Sequence, residues 1–139
     1  MCIRDSHHAV HTVLQAPDSL INKYRNKTPG KYHKNPIYAA MIEKLDDSVG
    51  RICQVIKTLG IADRTIVIFY SDNGGSEPVT DNYPLNGGKG MPYEGGSRVP
   101  LIIRWTGKIE GGIRSSVPIT GVDFYPTFVT LAQGKILLT

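Results

Sequence analysis

The sequence has few cysteines and no long apolar run, and each absence excludes a class of protein. Among its 139 residues, only Cys2 and Cys53 are cysteines. Two are too few for a disulfide framework, and no C-x-x-C motif or His/Cys pairing points to a zinc site. No stretch of about 18 consecutive apolar residues occurs, so the sequence predicts no membrane-spanning helix.

The charge is modestly positive, with 16 Lys and Arg against 12 Asp and Glu and a formal net charge of +4. The densest basic segment, KYRNKTPGKYHK at residues 23–34, mixes basic residues with Tyr and His, as a nucleic-acid patch does. It also contains Pro-Gly and shows no helical periodicity. We therefore interpret it as a solvated loop and expect no nucleic-acid partner.

Apolar periodicity predicts the secondary structure of the middle of the chain. A helix is expected from an N-cap at Asn35 to Gly60, with Pro36 at its first position and apolar residues at steps of three and four. Residues 65–70, TIVIFY, are apolar without alternation, which is typical of a strand covered on both faces. A second strand at VPLIIRW and a helix beginning near Asp123 complete an α/β pattern with a mixed sheet flanked by helices.

A long glycine-rich loop separates the two predicted strands, from Asp72 to about Arg98. Loops of this length usually have a function. Asp72 and Asn73, in SDNGG, offer oxygen ligands of the kind that calcium or magnesium prefers, although the same residues are common turn formers. Lys89, in NGGKG, can reach an anion or can be an ordinary surface lysine.

Other polar residues have simpler interpretations when each is considered alone. His11, in AVHTVLQ, is a lone histidine, which is usually structural. Glu94 and Arg98 are four residues apart and are predicted to form a charge pair that supports the loop. Asp123 is predicted to cap its helix.

Taken together, these segments closely resemble the arylsulfatase family of the alkaline-phosphatase-like superfamily. The resemblance extends from about Ala9 to Ala132 and is carried by AVHT, YAAMIEKLDDSVGRI, TIVIFYSDNGG, LNGGKGMPYEGGSRVPLIIRWTGKI and DFYPT, in this order. It implies an alkaline-phosphatase-like fold and a hydrolase acting on sulfuric esters.

The resemblance also implies roles for individual residues. Asp72 and Asn73 correspond to ligands of a calcium ion, in some members magnesium. Lys89 corresponds to a lysine that contacts the sulfate, and His11 to a histidine that contacts the sulfate or the leaving oxygen. A metal ion, an ammonium group and a proton donor are useful partners for the negative charge that develops in sulfate-ester cleavage.

The sequence also departs from the family pattern. Sulfatases carry a formylglycine made from the cysteine or serine of a C/S-x-P-x-R motif, but Cys2 is followed by IRDS and Cys53 by QVIK. Val13 stands where proline is usual. MCIRDSH stands where the family has an apolar strand before AVH, so we expect residues 1–8 to be a non-native or fragment-edge leader. Residues 9–139 are expected to form the C-terminal part of an incomplete sulfatase catalytic domain, with half an active site and no turnover alone.

Two other functions remain open from the residues. One is a phosphonate or phosphodiester hydrolase of the same superfamily. The other is a non-catalytic polyanion-binding module, whose binding would weaken steeply with salt and would not need a metal. That module would use Lys23, Arg25, Lys27, Lys31 and Lys34. The family includes exported, periplasmic and lysosomal enzymes acting on steroid, aryl and polysaccharide sulfates, so the resemblance leaves location, substrate and oligomeric state open.

Overall fold

The computed structural model describes residues 2–135, which contain helices and a small antiparallel sheet. The elements are α1 (Asp18–Arg25), α2 (Pro36–Thr58), β1 (Ile66–Tyr70), α3 (Glu94–Ser97), β2 (Leu101–Trp105) and α4 (Phe124–Leu131). Short 3-10 turns lie at Ala62–Arg64 and Gly121–Asp123. The chain divides into two units between Ile109 and Glu110. Within residues 2–135, no helix has both the length and the apolar character needed to cross a bilayer.

Helix α2 confirms the predicted amphipathic helix and both of its end signals. The Asn35 side-chain oxygen accepts hydrogen bonds from the backbone N–H groups of Ile37 (3.0 Å) and Tyr38 (3.1 Å). Pro36 occupies the first helical position, where its missing N–H costs nothing. The helix ends at Thr58, and Gly60 follows with a φ of +65°, a conformation that favours glycine.

The interpretation of residues 23–34 as a loop without helix was wrong for its first three residues, which belong to α1. This helix has only eight residues, too few to be stable by propensity alone. It forms because its buried Ile21 packs in the α1–α2 pair, where Ala40 and Met41 of α2 are also buried. Residues 23–25 alone are too few to show the periodicity of this helix, which begins at Asp18.

An ion pair also connects α1 to α2. The Lys23 ammonium donates to the Glu43 carboxylate at 2.7 Å. Hydrogen bonds from Lys23 and then from Tyr24 lower the pKa of Glu43 below its usual value. The stabilisation from these bonds is therefore present above the ordinary pKa of glutamate and is lost as the pH falls through the lowered value. Because the pair is solvent-exposed, it contributes little compared with apolar burial.

The two predicted strands are confirmed, and they pair with each other in antiparallel orientation. The expected cover on both faces of β1 was wrong for the described residues, because its first four residues are half-buried and Tyr70 is exposed. The register places Ile66 opposite Trp105 and Tyr70 opposite Leu101. This pairing agrees with the predicted mixed sheet, because a mixed sheet contains both antiparallel and parallel pairs of strands. The Trp105 ring N–H donates to the Asp63 carbonyl at 2.8 Å, which joins the end of β2 to the 3-10 turn before β1.

The apolar core among the described residues is small. Ile21, Ala40 and Met41 are its buried hydrophobic members. The residues of β1 from Ile66 to Phe69 are half-buried, whereas Ile102 in β2 is 60% exposed and Leu59 after α2 is 64% exposed. Apolar burial within these residues is therefore limited.

In the second unit, α4 begins one residue after Asp123. Asp123 stands at the N-cap position as expected, but its side chain makes no capping bond to α4, so the predicted cap was wrong in detail. Its carboxylate instead accepts the backbone N–H of Thr120 at 2.7 Å. The reason is the preceding 3-10 turn, whose own capping box uses the Asp123 carboxylate.

We expect Asn35→Ala to lower the free energy of unfolding by about 1 kcal/mol, because two N–H groups at the start of α2 lose their acceptor. Urea unfolding followed by circular dichroism measures this change. Asn35→Asp is the control, since it keeps an acceptor oxygen and should leave stability near the wild-type value. Equal destabilisation by both substitutions would contradict a capping role.

Candidate functional site

The SDNGG segment begins directly after β1, and its side chains leave two oxygen ligands available. The Ser71 hydroxyl donates to the Asn73 carbonyl at 2.8 Å, and the Asn73 side-chain N–H donates to the Gly74 carbonyl at 2.9 Å. Among residues 2–135, no group donates to the Asn73 side-chain oxygen, and the exposed Asp72 carboxylate has no hydrogen-bond or ion-pair partner. Both oxygens are therefore free to bind a cation.

Backbone hydrogen bonds bring the loop that carries Lys89 beside SDNGG. The Lys89 N–H donates to the Gly75 carbonyl at 2.9 Å. The Gly74 N–H donates to the Gly96 carbonyl at the same distance. Two predicted parts of the site, separated by 13 residues or more along the chain, are thus adjacent in the structure.

This contact requires glycine because the backbones approach too closely for a side chain. A Cβ atom on Gly74 would overlap the Gly95 carbonyl, and one on Gly95 would overlap the Gly87 carbonyl. A Cβ on Gly88 would lie 2.6 Å from the Gly75 oxygen. We call Gly74, Gly75, Gly87, Gly88, Gly95 and Gly96 the glycine node.

Asn82 joins the glycine node through its side chain, and sequence reasoning missed this role. Its amide oxygen accepts the Gly75 N–H at 2.9 Å, and its amide nitrogen donates to the carbonyls of Gly75 and Gly87, each at 3.0 Å. Only an amide side chain offers a donor and an acceptor in this arrangement. No local pattern separates Asn82 from Asn86, a second asparagine in the same loop.

The Lys89 side chain extends from the node into solvent. Lys89 is exposed, and within the described residues its ammonium makes no hydrogen bond or ion pair. The following Gly90 has a φ of +81°, so the chain turns directly after the lysine. The ammonium is available for an anion, as the resemblance requires.

His11 is exposed, and its observed contacts are with its own segment. The Nδ1 atom lies 2.8 Å from the Thr12 carbonyl, and the ring lies 5.4 Å from the His8 ring between centroids. Because a carbonyl only accepts, Nδ1 carries a proton in this arrangement. The hydrogen bonds and ring contacts of residues 2–135 do not connect His11 to SDNGG or to Lys89.

The charge pair predicted between Glu94 and Arg98 is confirmed. An Arg98 guanidinium nitrogen donates to the Glu94 carboxylate at 3.3 Å across α3. Both side chains are 67% exposed, so the pair contributes little to stability. It brackets α3, the single helical turn that contains Gly95 and Gly96 of the glycine node.

The residues present suit a hard cation in donor type but provide only part of a site. Asp72 and Asn73 supply oxygen ligands, whereas calcium takes about six to eight. Within residues 2–135, no group of three or more His, Cys, Asp and Glu side chains could hold a metal ion. Asp72 and Asn73 are therefore too few to complete a calcium site, and further ligands would have to be supplied by other groups.

Comparisons with known proteins agree on one family. A family model described as Sulfatase matches residues 6–135. A sulfatase of Formosa agariphila is 40% identical across 93% of this chain and 25% of its own length. Arylsulfatase J of Mus musculus is 35% identical across 94% of this chain and 22% of its own length.

Solved structures give the same result. Crystal structures of Ps i-CgsB, alone and in complex with k-i-k-neocarrahexaose, match with TM-scores of 0.84 and 0.83 at 37% and 38% identity. The match covers 93% of this chain and 28% of the complexed one. The chain spans about a quarter of the length of the relatives it matches. Their fold is alkaline-phosphatase-like, as the sequence predicted.

We expect Gly95→Ala to destabilise the chain by more than about 2 kcal/mol, because the added methyl group meets backbone rather than a movable side chain. Gly50→Ala is the control. Gly50 lies in α2 with nothing within 4 Å of an added Cβ, so alanine should raise stability by about 0.5–1 kcal/mol. Urea unfolding measures both, and a neutral Gly95→Ala would disprove the close contact.

We expect Asn82→Asp to destabilise the chain by about 1–3 kcal/mol, because a carboxylate oxygen would replace the nitrogen that donates to two carbonyls. Asn86→Asp makes the same change at an exposed side chain in the same loop. It should alter the unfolding free energy by less than about 0.5 kcal/mol. If the two variants unfold at the same urea concentration, Asn82 does not hold the node.

Proposed function

Since this chain belongs to the sulfatase family, we propose that it forms part of an enzyme that hydrolyses sulfate esters. The reaction breaks the S–O bond to the leaving oxygen, uses one water molecule, and yields an alcohol or phenol and sulfate. One observation carries the site assignment: the hydrogen bond from Lys89 N–H to the Gly75 carbonyl, which holds the candidate sulfate-binding lysine beside the candidate metal ligands.

Asp72 and Asn73 are proposed to hold a calcium ion, or magnesium in its place. The free Asp72 carboxylate and the free Asn73 side-chain oxygen are the two ligands that this chain supplies. When bound, the cation would polarise the sulfate oxygens and offset their negative charge. The hydrogen bond from Asn73 to the Gly74 carbonyl fixes which side-chain atom is left for the cation.

Lys89 is proposed to contact the sulfate with its ammonium group. A charge-assisted hydrogen bond of this type is stronger than a neutral one. Because Lys89 N–H is held by Gly75, the lysine backbone is fixed relative to SDNGG while the side chain stays free. This arrangement orients the sulfate without occupying the ammonium beforehand.

His11 is proposed to donate a proton to the leaving oxygen. Its Nδ1 proton is used by the Thr12 carbonyl, so Nε2 is the atom that would face the substrate. With Nδ1 protonated, Nε2 can donate only from the imidazolium form. Proton transfer at the leaving oxygen offsets the charge that develops as the S–O bond breaks.

We propose a carbohydrate sulfate as the substrate class. The hexaose in the complex of the 38% identical relative supports it.

The family match supports sulfate rather than phosphonate or phosphodiester chemistry. The polyanion-binding alternative is weakened because one of its five cations, Lys23, is already paired with Glu43 at 2.7 Å.

Calcium titration by isothermal calorimetry tests the metal assignment. We expect the 139-residue chain to bind calcium weakly, and Asp72→Ala to weaken binding at least about tenfold, because a charged ligand is lost. Asp46→Ala is the matched control: Asp46 is an exposed aspartate on α2 and should leave calcium binding unchanged.

The same titration with p-nitrophenyl sulfate as the second ligand tests the sulfate assignment. Binding should require calcium and should weaken in Lys89→Ala. Calcium binding that is equal in Asp72→Ala and the wild type would remove the metal site. Sulfate-ester binding that persists after chelation of calcium and falls steeply with salt would instead support the polyanion-binding alternative.

A further inference from the structure

We propose that an open groove beside the candidate site binds the sulfated sugar units that flank the ester being hydrolysed. This inference rests on the proposed function and names a binding subsite for its substrate. The groove has a volume of about 710 Å³. Two segments line it: residues 25, 31, 32 and 34–37 come from the first, and residues 77–81 from the second.

The two sides of the groove are held together by side-chain contacts. The His33 Nδ1 atom lies 3.1 Å from the Thr80 hydroxyl oxygen, within hydrogen-bond distance. The Tyr32 ring stacks on the Tyr83 ring with centroids 4.5 Å apart and planes 14° from parallel. These contacts make the groove a built feature rather than a gap between two unrelated loops.

The cations of the groove are free, in contrast to others in the same basic segment. Arg25, Lys31 and Lys34 line the groove, and none of them forms an ion pair within residues 2–135. Lys23, which does not line it, is paired with Glu43 at 2.7 Å. The basic segment therefore divides into a structural part and a part available for anions.

Neutral contacts already orient two of the free cations. The Arg25 guanidinium donates to the Asn22 side-chain oxygen at 3.2 Å. The Lys31 ammonium lies 4.9 Å from the centre of the Tyr32 ring. Neither contact neutralises the charge, so both side chains remain able to bind sulfate groups.

The opposite side of the groove is acidic, which narrows the class of ligand. Glu77 and Asp81 line it, and a carboxylate repels sulfate but accepts hydrogen bonds from hydroxyl groups. A ligand that carries both sulfates and hydroxyls matches the two sides, as a sulfated oligosaccharide does. A uniformly anionic chain such as single-stranded DNA matches only one side.

The groove is adjacent to the candidate site through the glycine node. Its acidic segment lies between Gly75 and Asn82, which form two hydrogen bonds with each other at 2.9 and 3.0 Å. The same Gly75 carbonyl accepts the Lys89 N–H at 2.9 Å. The acidic segment of the groove and the segment that carries Lys89 are therefore neighbours, which is the arrangement that a sugar chain bound at both would need.

Calorimetry with a hexasaccharide from κ-carrageenan, at constant ionic strength, tests this subsite. We expect Lys31→Ala/Lys34→Ala to bind the hexasaccharide about tenfold more weakly, because two charge-assisted contacts are lost. Lys27→Ala is the matched control. Lys27 lies in the same basic segment but outside the groove, with its ammonium 5.0 Å from the Tyr24 ring centre, and should bind like the wild type.

Glu77→Ala separates an oligosaccharide site from a general polyanion surface. If Glu77 accepts sugar hydroxyls, its loss weakens binding about two- to tenfold. If the groove only attracts negative charge, the same change strengthens binding, and a thymidine oligonucleotide binds as tightly as the hexasaccharide. That second result would overturn the proposal.

Two further results would also overturn it: unchanged affinity in Lys31→Ala/Lys34→Ala, or equal affinity for the chemically desulfated hexasaccharide. Failure of this subsite is distinguishable from failure of the proposed function. The function depends on calcium-dependent binding of p-nitrophenyl sulfate, which carries a single sulfate and no flanking sugar units. Intact binding of the small ester without hexasaccharide discrimination would remove the subsite alone.

Discussion

The close backbone contact within the glycine node is the constraint on which the candidate site depends. The connection from β1 to β2 covers residues 71–100 and contains one short helix, Glu94–Ser97, as its only regular element. It has no fully buried apolar side chain to organise it. Its order comes from hydrogen bonds between glycine backbones and from Asn82. Lys89, SDNGG and the acidic side of the groove all take their positions from this contact.

Hydrophobic burial is limited within residues 2–135. Among these residues the buried hydrophobic side chains are Ile21, Ala40 and Met41, while Val55 in α2 is 56% exposed and Ile102 in β2 is 60% exposed. Capping of α2, the Trp105–Asp63 bond and the node add polar contacts to this apolar burial.

The basic segment shows how tertiary contacts give different roles to similar residues. Lys23 and Lys31 are both lysines in one short stretch, yet the first is paired with Glu43 and the second lines the groove. The difference arises because Lys23 lies on α1, which packs against α2 and so places Lys23 beside Glu43. Lys31 lies between the two helices and forms no such pair within residues 2–135. The composition of this segment indicated a surface that could bind anions, but it did not indicate which basic side chains were already paired with a carboxylate.

The sequence by itself determined the elements whose signals are local. Helix α2 was predictable because Asn35, Pro36 and Gly60 are residues that favour helix ends. The two strands were predictable because β-branched and aromatic residues make up β1 and most of β2. The family was predictable because several motifs occur in a fixed order, and the comparisons confirm it. The roles of Asp72, Asn73, Lys89 and His11 remain predictions from that resemblance.

Only the tertiary structure decided the features that depend on contacts between distant residues. Helix α1 was missed because its eight residues are too few to be stable by propensity alone, and its packing on α2 is not visible in the sequence. The part played by Asn82 was not visible because its three partners lie five and seven residues away and are backbone atoms, which leave no side-chain pattern. The groove likewise depends on bringing residues 25–37 to residues 77–81. Local propensity acts over a few residues. The site, in contrast, depends on hydrogen bonds between backbone segments that are distant in the sequence, and only the folded chain brings these segments together.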